Sequence, residues 1–173
     1  MINKYKRASP NHFKISLVIL LLISIATGNL TFASTSYVIN LSAHITLKQE
    51  KELETLATNY IESNPDKPVH LIIVDDTGTI SIEEFAARIK EINPELNNRI
   101  TGLLIVVDSN QCLLMRGRLN LTDYDDWVIS NTYYEQRQTA ATYDAIQATY
   151  SKLLDIASDA KLNTINLILY NKT

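Results

Sequence analysis

Asp75, Asp76 and Asp108 are the residues most able to do chemistry, because each follows an apolar run of strand length. Val69-His70-Leu71-Ile72-Ile73-Val74 closes on Asp75-Asp76, and Gly102-Leu103-Leu104-Ile105-Val106-Val107 closes on Asp108. Ligands of open α/β sheets bind at the carboxyl ends of the strands. If the two runs are parallel neighbours, three carboxylates meet at one edge. Such a cluster suits Ca²⁺, a hard cation that takes six to eight oxygen ligands. Without a cation the carboxylates repel one another. The plain alternative is solvated loop acids lying near helix N-termini, where negative charge is favourable.

The intervening sequence supports that parallel arrangement. After Asp75-Asp76-Thr77-Gly78-Thr79-Ile80, Ser81 with Glu84 three residues on has the spacing of a capping box. Phe85, Ala86, Ile89 and Ile92 then recur at helical spacing, and Asn93-Pro94 ends the pattern. Strand, helix and strand within about forty residues make a βαβ unit with a parallel pair. Asp108-Ser109-Asn110 is a turn, and Gln111 to Arg116 returns antiparallel as a hairpin. Upstream, Thr46 and Gln49 cap a helix with Leu53, Leu56, Ala57, Tyr60 and Ile61 on its inner face. Asn64-Pro65-Asp66-Lys67-Pro68 stops it. Downstream, a short helix from Asp123 to Ser130 holds Trp127, and a long one from about Thr139 to Ala157 carries Tyr143, Ile146, Tyr150, Leu153 and Leu154. Ile165 to Tyr170 reads as an edge strand or a tail.

The chain opens with a basic leader, Lys4, Lys6, Arg7 and Lys14, then the apolar run Ile15 to Ala26 and small residues ending at Ala33. That is the pattern of a secretory signal over residues 1–33, with cleavage expected after Ala33. A retained anchor is the alternative, and it would be the chain's sole attachment to a membrane. Loss of the leader's four positive charges moves the net charge from −3 to −7. That balance argues against a nucleic-acid or anionic-membrane surface. Cys112 is the one cysteine, so no disulfide framework exists, and core packing must hold the domain together. Its apolar neighbours make it a buried small hydrophobe.

Two resemblances follow from these residues. Asp75-Asp76-Thr77-Gly78-Thr79-Ile80-Ser81 resembles the phosphorylated-aspartate loop of haloacid-dehalogenase-type phosphatases and P-type ATPases, but no downstream acid pair or lysine completes that machinery. A broader likeness rests on Ile39-Asn40, Ala43 and Ile45-Thr46, and on Ser81-Ile82-Glu83-Glu84-Phe85-Ala86-Ala87-Arg88. It extends through Gly102 to Asp108 and through Thr142-Tyr143-Asp144-Ala145-Ile146. In this order of elements, residues 37–158 resemble the TPM domain, an α/β module of exported and thylakoid lumen proteins. The resemblance implies acid phosphatase activity and calcium near the strand-end loops. Leu41 and Asn120 stand where the family has acids, which leaves Asp75, Asp76, Asp108 and Asp144 as metal candidates by position.

Arg116 and Arg118, alternating on a strand, would face one side and could hold an anion; an exposed sheet face is the other reading. Tyr124, Trp127, Tyr133 and Tyr134 suggest a partner surface or the packing of a short helix. His44 and His70 lack metal-ligand spacing. The expectation is therefore an exported α/β domain: a small, mostly parallel mixed sheet flanked by helices, with a βαβ unit and a hairpin. Residues 159–173 form its tail or an edge strand. It binds an unidentified protein partner, with Ca²⁺ at the acidic edge. The alternative is a metal-dependent phosphomonoesterase.

Overall fold

The computed structural model describes residues 36–92 and 101–162. The expected leader, the stop at Asn93-Pro94 and the run Ile165 to Tyr170 lie outside them. Within the described residues the order is β1 (Val38–Leu41), α1 (Leu47–Ser63), β2 (Val69–Val74), α2 (Ile82–Ile92), β3 (Thr101–Val106), β4 (Gln111–Met115), α3 (Asp123–Thr139) and α4 (Thr142–Asp159). The four strands form one sheet in the order β1-β2-β3-β4. β1, β2 and β3 are parallel, and β4 returns antiparallel on β3. This is the expected mixed α/β sheet.

Side chains on a strand alternate between faces, and both faces of this sheet are covered. Leu71, Ile73, Leu103 and Ile105 join one core with Leu53 and Ala57 of α1, Ile129 and Tyr133 of α3, and Ile146, Tyr150 and Leu153 of α4. Ile72, Val74, Leu104 and Val106 join the other with Ile82, Phe85 and Ala86 of α2. Covering on both sides explains the unbroken apolar runs of β2 and β3. Cys112 belongs to the first core, and burial pushes its thiol up to about 12, so it is inert in the native state.

One strand was not anticipated, and two helix bounds need correction. β1 is a strand that precedes Val69, too short and too weakly alternating to be read from sequence. α3 runs through Thr139 rather than stopping at Ser130. Ser130-Asn131-Thr132 and two tyrosines are indifferent helix formers, but burial of Ile129 and Tyr133 overrides propensity. α4 accordingly starts at Thr142, after extended Ala140 and Ala141. Thr46 and Thr122 head their helices in reciprocal capping boxes with Gln49 and Asp125. The left-handed Asn110 of the β3–β4 turn (φ 54°) is tied to the α3–α4 junction by Arg137, which donates to Asn110 Oδ1 (2.9 Å) and Thr142 Oγ1 (2.7 Å).

His70, on β2 beside the ring of Tyr37 (centroids 5.3 Å apart), is held neutral by burial, its pKa lowered to about 4. The unfolded chain takes up a proton near the ordinary histidine value, and the folded one does so only well below it. The stabilisation is therefore complete above pH 7 and is lost as pH falls from about 6.5 towards 4. Lowering pH from 7.5 to 5 should remove about 2 kcal/mol of unfolding free energy through this residue. Urea denaturation at both pH values checks this, and His70→Leu should lose most of that pH dependence.

Candidate functional site at the carboxyl rim of the sheet

Parallel pairing sets the carboxyl ends of β1, β2 and β3 side by side, with Leu41 opposite Val74 and Val74 opposite Val106. The ladder continues past the strands: Val107 N donates to Val74 O, and Asp108 N donates to Asp75 O, both at 2.9 Å. Asp75 and Asp108 are thus neighbours at one rim.

The short loop from β1 to α1 closes over Asp75. Ser42 Oγ donates to Asp75 Oδ1 at 2.6 Å, and Ala43 N reaches Oδ1 at 3.1 Å and Oδ2 at 3.3 Å. The loop is itself well braced. Asn40 Oδ1 accepts from Ser42 N (3.1 Å), and Asn40 Nδ2 donates to Glu50 Oε2 (3.1 Å) and Ile45 O (3.3 Å). His44 N donates to Ser42 Oγ at 3.1 Å, which carries the imidazole over the rim. There His44 Nε2 lies 3.0 Å from Asp108 Oδ1 and 4.0 Å from Asp75 Oδ1. The Asp75 side chain is only 17% exposed, whereas those of His44 and Asp108 are about half exposed. What a ligand meets at this rim is therefore His44 with Asp108. Asp75 lies behind them.

The other candidates are placed differently. Asp76 Oδ1 accepts from Gly78 N at 2.7 Å, an Asx turn that uses the left-handed Gly78 (φ 70°). Its carboxylate shapes its own loop, as does Thr77, whose hydroxyl donates to Ile80 O (2.8 Å). Asp144 is exposed in the first turn of α4, where a negative charge favours the helix N-terminus. The two arginines do not share a strand face, because β4 ends at Met115. Arg116 turns to α3, pairing with Asp123 (2.6 Å) and Asp126 (3.4 Å). Arg118 lies in the β4–α3 connection. Among the described residues no group of three or more His, Cys, Asp or Glu side chains is arranged to hold a metal ion.

Ser42 was not singled out from sequence, and His44 was weighed only as a metal ligand and set aside. Reading Val38–Leu41 as a strand parallel to β2 would have found them, since the loop after it must then reach the same rim.

No family model matches the chain, and no curated protein does. Solved structures share its fold. The chain is similar to the N-terminal domain of the cg2496 protein from Corynebacterium glutamicum, known from solution NMR, with a TM-score of 0.57 at 8% identity. That match covers 75% of this chain and 84% of that one. It is also similar to the solution NMR structure of the N-terminal domain of a protein from P. gingivalis, with a TM-score of 0.57 at 15% identity, covering 73% and 86%. At these identities the likeness is one of fold alone.

The geometry separates the aspartates by their contribution to stability. Asp75→Ala leaves the buried Ser42 hydroxyl and the Ala43 amide without their acceptor and should destabilise the domain by about 1–3 kcal/mol. Asp108→Ala removes one half-exposed contact and should stay within about 1 kcal/mol. Chemical denaturation of the two variants beside the parent distinguishes them.

Proposed function

We propose that the chain is an extracytoplasmic binding module of TPM type that holds a partner at the rim formed by His44, Asp75 and Asp108, without phosphoryl transfer. One observation carries the non-catalytic reading: both oxygens of Asp75 are engaged by the β1–α1 loop. A carboxylate that must attack phosphorus, or bind the metal that activates it, needs a free oxygen facing the ligand. Asp75 serves instead as an internal anchor for the loop that presents His44. The arginine offered for phosphate is likewise committed, since Arg116 lies against two aspartates on α3.

The TPM reading is supported by the order of the elements and by the Ser81-to-Arg88 and Thr142-to-Ile146 segments, which open α2 and α4. The export reading is supported by the basic and apolar pattern of residues 1–33. The two solved domains of this fold are N-terminal parts of their proteins, which is in keeping with a modular role. A divalent cation such as Ca²⁺ is the ligand that the half-exposed Asp108 carboxylate favours, with the negative charge of Asp75 behind it. His44 Nε2 lies 3.0 Å from Asp108 Oδ1, so a cation enters by displacing the imidazole. Binding is expected to be weak, and stronger in His44→Ala.

Two assays on the full chain test the reading. No hydrolysis of p-nitrophenyl phosphate is expected with or without calcium; turnover that Asp75→Asn abolishes would establish the phosphomonoesterase instead. Millimolar calcium should raise the melting temperature of the parent and raise it further in His44→Ala, but not in Asp108→Asn. A melting temperature unmoved by calcium in all three proteins removes the cation from the account.

A further inference from the structure

α3 turns Ile129 and Tyr133 into the core and leaves a different stripe outside. Tyr124, Trp127, Asn131, Tyr134 and Gln138 recur at i, i+3, i+7, i+10 and i+14, and none of them is charged. Tyr124 is 70% exposed, Trp127 59% and Tyr134 41%. The rings of Tyr124 and Trp127 stack at 5.8 Å with 25° between their planes. This is the spacing by which one helix presents a seam to another, and its aromatic content is typical of interface anchors. Single exposed apolar residues need no explanation; three aromatics on one seam do.

We propose that this stripe is the interface between two copies of the chain, with α3 packed antiparallel on α3 across a two-fold axis. The charges on the flank of the seam select that occupant. Asp123 immediately precedes the first seam residue and Arg137 immediately precedes the last. Antiparallel pairing centred near Ile129 and Ser130 sets Asp123 against the partner's Arg137, and the reciprocal pair follows by symmetry. A parallel arrangement would oppose Asp123 to itself. Asp123 is almost fully exposed, so its contact with Arg116 leaves it open to a second cation. Arg137 is half-buried, with Nε on Asn110 and one terminal nitrogen on Thr142, so pairing with the partner would use its other terminal nitrogen. In this register Tyr124 packs against the partner's Tyr134, and Trp127 against the partner's Asn131.

The size of the patch sets the strength. An aromatic side chain can bury about 150–250 Å², so the exposed parts of these three offer roughly 250–450 Å² per copy. A stable dimer buries about 800 Å² per partner. The patch falls well short of that, so the dimer is weak and concentration-dependent.

Trp127 is the only tryptophan, so its emission reports on this surface alone. Sedimentation velocity and Trp127 emission of the full chain, followed from about 5 µM to about 1 mM, should show dimer formation with a coincident blue shift. Tyr134→Glu, an exposed substitution whose fold is checked by circular dichroism, should raise the dissociation constant at least about tenfold. Asp123→Lys should also weaken the dimer, and the double variant Asp123→Lys/Arg137→Glu should recover part of the loss. An emission maximum that stays fixed over the whole concentration range overturns the proposal, as does a dimer of undiminished affinity in folded Tyr134→Glu.

Discussion

One carboxylate ties together the ends of three strands. Asp75 terminates β2, its side chain takes the Ser42 hydroxyl and Ala43 amide from the end of β1, and its carbonyl takes the Asp108 amide from the end of β3. Parallel strands have no tight turn between them, so their carboxyl ends are aligned only by such contacts and by the ladder itself. The rest of the rim follows. With the β1–α1 loop fixed, Thr46 caps α1, and His44 is carried to Asp108. A shielded carboxylate with several donors is also a costly one to leave unpaired, which makes the interaction an organising constraint rather than a surface ornament.

The central sheet was legible because its pattern is strong. Two unbroken apolar runs separated by a capped amphipathic helix leave little choice but a βαβ unit, and β2 occupies the run read from sequence. β3 begins at Thr101 and ends at Val106, one residue earlier at each end than Gly102 to Val107. What failed was short or context-dependent. β1 has four residues, and only its pairing with β2 makes it a strand. The second half of α3 is helical because Tyr133 is buried against α4 and the sheet, information absent from the local sequence. Arg116 and Arg118 looked like an alternating strand pair, yet Arg116 is drawn off by the acidic first turn of α3.

The candidate site was half legible for the same reason. Adjacency of Asp75 and Asp108 follows from parallel pairing and was deducible. The use made of each aspartate was not, because it depends on donors brought from elsewhere: Ser42 and Ala43 for Asp75, Gly78 for Asp76, His44 for Asp108. Residue type and strand-end position identify carboxylates that could bind a ligand. Only the hydrogen-bond partners tell which of them has an oxygen left over. Here the shielded one is structural, and the more exposed one shares an imidazole.

The anchoring role of Asp75 is tested most directly by a double-mutant cycle with Ser42→Ala and Asp75→Ala, read by chemical denaturation. Residues in direct contact within one hydrogen-bond network couple by about 0.5–3 kcal/mol. The account predicts a coupling inside that range, with the double variant little worse than Asp75→Ala alone. Strict additivity of the two single changes would contradict it, because the hydroxyl and the carboxylate would then be stabilising the fold independently.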